Sequence, residues 1–163
     1  MTDMDSAPVT GEGVRENPAA PPQIVVFCCN WCSYAGADLA GVSRLQMNPS
    51  FRILRTMCSA RVDPELVLEA FQLGADGVLI AGCHPGDCHY IGGNYKTRRR
   101  FVLLKRTLEQ LGLHPDRLQL HWISASEGRR FQEIINAFCE RIAELGPAPH
   151  GDAAPAPAAA GEE

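Results

Sequence analysis

Six of the seven cysteines fall into three short groups along the chain. Thiolates hold iron–sulfur clusters, commonly four at a time, and they also hold structural zinc. In both cases close pairs of cysteines combine with more distant ones. The residue types and spacing therefore predict a metal site. The three groups are Cys28-Cys29-x-x-Cys32, the single Cys58, and Cys83-x-x-x-x-Cys88.

Each cysteine group follows an apolar segment that has the composition of a buried strand. Residues 24–29 end in the first group, residues 51–57 lead to Cys58, and residues 77–81 lead through Gly82 to Cys83. In open α/β folds, ligands bind at the carboxyl ends of the strands. Because the sheet fixes the bases of short loops at that edge, we expect the three groups to converge.

Helical periodicity separates these segments. We predict helices over about 34–46, from Asp63 to about Gly74, over about 97–111, and from Ser124 to about 146, with a fourth strand over 118–123. The alternation predicts an α/β fold of Rossmann or flavodoxin type. Its open, mainly parallel four-stranded sheet would have helices on both faces. Strand order 2-1-3-4 would bring the ends of the first three strands together.

Local signals refine these elements. Asp63 before Pro64 predicts a helix start, and Ser124 with Glu127 three residues later predicts a capping box. Leu39, Val42 and Leu45 mark one face of the first helix. Cys139 lies on the apolar face of the last helix, where we expect an ordinary core residue.

Composition predicts one domain over residues 23–146 between two disordered tails, 1–22 and 147–163. Each tail has a net charge of -3, which leaves the domain at about +2, so we do not expect nucleic acid as a partner. The sequence has no secretory signal and no apolar run of the roughly 18 residues that a membrane span needs. It therefore predicts a cytoplasmic protein with reduced thiols and no membrane partner.

Two alternatives remain open at this point. The cysteine pairs could hold a structural zinc ion, with His84 or His89 as substitute ligands. Alternatively, Cys29-x-x-Cys32 between a strand and a helix could be a thioredoxin-like dithiol, which would leave the later cysteines unexplained. No set of residues is spaced for acid–base or nucleophilic catalysis, so we do not expect an enzyme that acts on its own.

Four stretches resemble one known family: residues 27–38 (FCCNWCSYAGAD), 57–59 (MCS), 82–90 (GCHPGDCHY) and 122–128 (WISASEG). Over about residues 24–146 the chain resembles the delta, iron–sulfur subunit family of methyl-viologen-reducing hydrogenase. The resemblance implies a 2Fe–2S electron carrier between a hydrogenase or formate dehydrogenase module and the flavin subunit of heterodisulfide reductase. It also implies that the ligands come from Cys29, Cys32, Cys58, Cys83 and Cys88. These are five candidates for four positions, with Cys28 as an extra thiol.

A basic run follows the third cysteine group. It consists of Lys96, Arg98, Arg99, Arg100, Lys105 and Arg106. One interpretation is the solvated face of the third helix. The other is a surface that guides a partner protein to the metal site, since complementary charge raises encounter rates and fixes orientation.

Overall fold

Four strands and four helices alternate along the chain, as the sequence predicts. The structure is a computed structural model, and it describes residues 21–149. Two short 3-10 turns, Ser59–Arg61 and Pro115–Arg117, precede α2 and β4. The strands are Ile24–Cys29 (β1), Phe51–Thr56 (β2), Gly77–Gly82 (β3) and Leu118–Trp122 (β4), and the helices are Ser33–Val42 (α1), Pro64–Gln72 (α2), Gly93–Gln110 (α3) and Gly128–Leu145 (α4).

The four strands form one open sheet in the order β2-β1-β3-β4, which confirms the predicted order. All three pairings are parallel, and Val26 at the centre of β1 pairs with Ile53 of β2 and Leu79 of β3. Because β1 lies between β2 and β3, the carboxyl ends of these three strands are direct neighbours.

Helices α1 and α4 cover one face of the sheet. Their apolar core contains Val26 and Leu79 from the sheet and Phe131, Ile135 and Phe138 from α4. The face marked by Leu39, Val42 and Leu45 is not the buried face of α1, because Leu39 and Val42 are exposed and Leu45 packs against this core only beyond the end of the helix. The buried residues of α1 are Ser33, Gly36, Ala37 and Ala40.

Small residues line α1 because α4 approaches it closely. A Cβ placed on Gly128 of α4 would come within 2.9 Å of the backbone nitrogen of Ala40. Leucine or valine on this face of α1 would therefore push the two helices apart.

Helices α2 and α3 cover the other face of the sheet. Val67 and Phe71 of α2 and Leu104 and Leu108 of α3 pack against strand residues that include Phe27. The start of α2 is as predicted, because the Asp63 carboxylate accepts a hydrogen bond from the backbone N–H of Glu65 at 3.4 Å.

Two other helix starts differ from the prediction. Helix α3 begins at Gly93, four residues before the predicted start, because its first turn packs directly against two cysteines described below. At α4, Glu127 Oε2 accepts from the backbone N–H of Ser124 at 2.7 Å, which is one half of the predicted capping box. Helix α4 nevertheless begins only at Gly128, because a turn occupies Ala125 and Ser126.

The described chain packs against the domain as far as Ala148. The backbone N–H of Ala148 donates to Asp76 Oδ1 at 3.0 Å, and the Arg117 guanidinium donates to the carbonyl oxygens of Leu145, Gly146 and Pro147. Apart from residues 21–22 and 147–149, the two predicted tails lie outside the described residues. None of the helices within residues 21–149 is long and apolar enough to span a bilayer.

Candidate metal centre

Three neighbouring strand ends supply the cysteines. Cys29 is the last residue of β1, Cys58 lies two residues beyond β2, and Cys83 follows directly after β3. Because the strands are parallel, all three positions lie at one edge of the sheet. We call this the carboxyl edge. The loops that follow bring Cys32 and Cys88 to the same place, as the sequence predicts.

Three of the thiols form a compact group, which we call the triad: Cys29, Cys32 and Cys83. Their sulfur atoms all lie within 4.8 Å of one another, and Sγ of Cys29 is 3.7 Å from Sγ of Cys83. All three residues are buried, and none of them forms a disulfide. Thiolates so placed can bind a metal ion, and the triad is thus a metal-binding site made of three cysteines.

The other two thiols form a second pair, Cys58 and Cys88, with their sulfur atoms 4.0 Å apart. Gly93, the first residue of α3, lies against both of them. A Cβ at this position would overlap Sγ of Cys58 and come within 3.0 Å of Sγ of Cys88. Only glycine leaves room here for two sulfurs beside a helix terminus, so the glycine is part of the site.

Hydrogen bonds favour the thiolate form at one member of the triad. The thiols of Cys32 and Cys83 both donate to Cys29, and the backbone N–H groups of Trp31 and Ser59 assist them. Together they lower the pKa of Cys29, although burial opposes the shift. The same hydrogen bonds to Cys29 raise the pKa values of Cys32 and Cys83, because each must keep its proton to donate it.

Backbone N–H groups also lower the pKa of one thiol in the second pair. Burial is the largest contribution at Cys88 and acts to raise its pKa. The N–H groups of Tyr90, Asn94 and Gly93 together outweigh burial, so the pKa of Cys88 is lowered. Two of these groups belong to the first turn of α3, where the helix dipole also favours negative charge. Burial prevails at Cys58 and raises its pKa, although the N–H of Ala60 opposes it.

Buried polar side chains hold the cysteine loops in position. The Ser33 hydroxyl accepts from the backbone N–H of Cys29 and donates to the carbonyl oxygen of Ala81, both at 2.8 Å. It therefore ties the start of α1 to the ends of β1 and β3. Ser33 is fully buried.

The start of α3 is tied to the other two loops. The Asn94 amide donates to the carbonyl oxygen of His84 at 2.6 Å, and the Thr97 hydroxyl lies 2.9 Å from the hydroxyl of Ser59. All of these side chains except that of His84 are buried. The roles of Ser33, Ser59, Asn94 and Thr97 are not predictable from the sequence, because short polar residues near loops have no pattern that distinguishes them from exposed ones.

The two loop histidines are not among the triad. Nε2 of His84 is 2.6 Å from Oε2 of Glu127, and the carboxylate also accepts from the backbone N–H of Ser124. These contacts lower the pKa of Glu127, with the Ser124 N–H as the larger cause. The ring of His89 stacks on Trp31 at 3.8 Å. Both histidine rings are therefore engaged elsewhere than at the thiol group.

The remaining two cysteines lie in the apolar layer between the sheet and helices α1 and α4. Cys28 neighbours Cys29 in sequence but is directed to the opposite face of β1, and burial raises its pKa to about 12. Burial likewise raises the pKa of Cys139 to about 11. Both thiols therefore stay protonated at neutral pH. The burial of Cys139 in this layer confirms the core position predicted for it.

Comparison with known proteins agrees with the family resemblance of the cysteine motifs. Residues 24–146 match the model of a family described as "Methyl-viologen-reducing hydrogenase, delta subunit". The chain is 56% identical over 126 residues to the vhc iron-sulfur subunit of the F420-non-reducing hydrogenase of Methanococcus voltae. This match covers 77% of this chain and 88% of that relative. The F420-non-reducing hydrogenase iron-sulfur subunit of Archaeoglobus profundus is 51% identical over 126 residues, covering 77% of this chain and 92% of the relative.

A second kind of relative is much longer. The chain is 52% identical over 126 residues to one subunit of the Ferredoxin:CoB-CoM heterodisulfide reductase of Methanosarcina mazei. The match covers 77% of this chain but only 16% of that relative. Closely similar sequence thus occurs both in subunits of about this domain's length and as one part of a larger polypeptide.

Proposed function

Since the chain belongs to the methyl-viologen-reducing hydrogenase delta subunit family, we propose that it is an electron-transfer subunit that carries one 2Fe–2S cluster. The observation that supports this best is the gathering of five free thiols, from three strand ends, into a triad and a pair. Relatives named iron-sulfur subunits support iron rather than another metal. When bound, the cluster supplies a site that accepts and releases one electron at a time.

The sulfur–sulfur distances favour particular ligands for this cluster. Around a tetrahedral metal with metal–sulfur bonds of about 2.3 Å, two ligand sulfurs lie roughly 3.8 Å apart. The distances of 3.7 Å between Cys29 and Cys83 and 4.0 Å between Cys58 and Cys88 fit this spacing. We infer that Cys58 and Cys88 hold one iron and two members of the triad hold the other. The spare thiol is then a member of the triad.

The chain's own residues would do three things for the cluster. The thiols bind it, and the N–H groups around Cys29 and Cys88 stabilise its negative charge. Ser33 and Asn94 hold the loops that carry the ligands. Burial of all five cysteines excludes water from the sulfur atoms.

We propose that the protein relays electrons between a hydrogenase or formate dehydrogenase module and the flavin subunit of a heterodisulfide-reductase-type complex. The names of the relatives support a hydrogenase and a heterodisulfide reductase as neighbours. The occurrence of similar sequence inside a heterodisulfide reductase polypeptide supports a position beside such a polypeptide. The formate dehydrogenase and flavin parts rest on the family resemblance.

A zinc site is the second candidate, because the triad alone could hold one zinc ion and would need one further ligand. With His84 bound to Glu127 and His89 stacked on Trp31, that ligand would have to be Cys58 or Cys88. A zinc site would leave one of these two cysteines without a role.

The test is metal and acid-labile sulfide analysis of protein purified without oxygen. We expect about two irons and two sulfides per chain, as the 2Fe–2S composition requires. Visible absorption should bleach when the protein is reduced. One zinc ion per chain with no visible absorption would refute the proposal and establish the zinc site.

A further inference from the structure

Large aromatic side chains are exposed at the carboxyl edge, directly beside the thiols. Trp31 and Tyr90 are 44% and 49% exposed. The Trp31 ring stacks on His89, and its indole N–H donates to the hydroxyl of Tyr90 at 3.3 Å. These contacts join the first and third cysteine loops into one continuous surface. Exposed apolar surface of this kind marks interaction sites.

The next residue, Ile91, is strained and adds nothing to the packing of the domain. It is 88% exposed and has a φ of 65°. A β-branched residue rarely adopts this left-handed conformation, because its branched Cβ crowds the backbone there. Hydrogen bonds from the N–H groups of Ile91 and Gly92 to the carbonyl oxygens of Cys88 and Tyr90 hold the turn. The fold alone therefore gives no reason for an isoleucine here.

Positive charge borders this surface on the side of α3. Lys96, Arg98 and Arg99 follow within two turns of Gly93, which touches Cys58 and Cys88. All three are exposed, and within residues 21–149 they make no ion pair. Arg100 differs, because its guanidinium donates to the carbonyl oxygen of Ala60 at 2.7 Å.

We propose that Trp31, His89, Tyr90 and Ile91, bordered by Lys96, Arg98 and Arg99, form the docking face for a redox protein. That protein would present an apolar centre with an acidic border. Trp, Tyr and Arg are enriched at such interfaces, and complementary charge would orient the two proteins. The redox character of the partner rests on the proposed function. The face itself rests on the exposure, strain and charge described above.

An apolar groove at another place on the domain offers a control site. A groove of about 770 Å³ lies beside β2, and Val25, Leu54, Leu66 and Leu73 are among its lining residues. Leu73, just past the end of α2, is 76% exposed and lies toward the opposite edge of the sheet from the cysteines. A substitution at Leu73 therefore matches one at Ile91 in exposure but not in location.

The first experiment places the photo-crosslinking residue p-benzoylphenylalanine at position 91 or at position 73 of the full chain. Each variant is expressed in the organism from which the protein comes, so that its natural partners are present. We expect a crosslink from position 91 to an acidic segment of a protein with a flavin or an iron–sulfur cluster, identified by peptide sequencing. At least a fivefold lower yield is expected from position 73. A crosslink to a second copy of this chain, a preference for position 73, or no crosslink from position 91 would overturn the proposal.

The second experiment repeats the crosslink from position 91 in anaerobic extract, with Arg98→Glu and Arg99→Glu combined. The yield should fall several-fold at low salt and lose this difference as the salt concentration rises. Arg44→Glu, past the end of α1 at the opposite edge of the sheet, is the control for charge reversal away from this face and should leave the yield unchanged. Equal losses from both variants would overturn the charge argument.

A third measurement separates docking from folding. Asparagine tolerates positive φ better than isoleucine, so Ile91→Asn should leave thermal stability unchanged or raised. The same variant should reduce formation of the complex with the crosslinked protein at least tenfold. A loss of stability without a loss of binding would assign Ile91 to the fold. Iron and sulfide counts test the cluster separately, so failure of one proposal does not hide failure of the other.

Discussion

The α1–α4 layer and the carboxyl edge of the sheet both bury cysteines, but only the edge contains thiols whose pKa is lowered. In the layer, Cys28 and Cys139 lie among apolar side chains, and burial raises both pKa values. At the edge, the thiols of Cys32 and Cys83, assisted by nearby N–H groups, lower the pKa of Cys29, and N–H groups lower the pKa of Cys88, although both residues are buried. Burial alone therefore does not decide whether a thiol is inert; the donors near the sulfur decide it.

The contrast is sharpest between Cys28 and Cys29, which are neighbours in sequence. Successive side chains of a strand point to opposite faces, so β1 directs one thiol to the layer and one to the metal centre. The Ser33 hydroxyl contacts both cysteines, because it accepts a hydrogen bond from the backbone N–H of Cys29 and also interacts with the thiol of Cys28.

The largest difference between the two regions should appear on removal of single thiols. Cys58→Ser and Cys88→Ser should each abolish iron binding, because the two cysteines form a pair that no other thiol can complete. Iron content measured on anaerobically purified variants would show a fall from about two irons per chain to near zero. Cys139→Ala should keep its iron and lose about 1 kcal/mol of stability from the core.

Either of two results would break this comparison. Loss of iron from Cys139→Ala would mean that the layer takes part in the site. Full metal content in Cys58→Ser would mean that the triad with Cys88 is sufficient, as the zinc alternative allows.

A second variant tests the close approach of α3 to the pair. Gly93→Ala places a methyl group against Sγ of Cys58 and Cys88, so we expect iron retention to drop about tenfold. Gly92→Ala is the matched control, because a Cβ there meets no atom within 4 Å. Similar iron content in the two variants would show that the helix start can move away from the thiols.

A third variant tests the hydroxyl that joins the two regions. Ser33→Ala leaves the N–H of Cys29 and the carbonyl of Ala81 without this partner in a buried place. The expected loss is about 1–3 kcal/mol in the free energy of unfolding, measured by denaturant titration. Ser43→Ala, at the exposed end of α1, should change it by less than about 0.5 kcal/mol.

The smallest effect concerns pH. The pKa of Cys139 is about 11 in the folded protein against a reference of 9.0, so above pH 9 the unfolded chain loses this proton first. Its contribution to stability is complete below pH 9 and is lost as the pH rises toward 11, at about 1 kcal/mol per pH unit. Cys139→Ala should therefore show a shallower fall of stability over this range. Parallel curves for the two proteins would contradict the raised pKa.

Most of the fold could be predicted because its signals are local. The apolar segments give β1 to β4 within a residue or two, and Asp63 and Pro64 give the start of α2. The errors occur where a distant contact overrides the local pattern. Val42 is exposed because α4 approaches α1 too closely for a large side chain. Helix α3 begins at Gly93, because the sulfur atoms of Cys58 and Cys88 lie against this residue and leave room only for a glycine.

The sequence by itself determined that the cysteine groups follow three strands of one parallel sheet, which is enough to predict that they meet at one edge. Only the tertiary structure decided how they divide into a triad and a pair. It also decided that His84 meets Glu127 and that Trp31 stacks on His89. Strand periodicity places a residue within its own element. Which side chains touch depends on register, twist and helix approach between elements that are far apart in the chain.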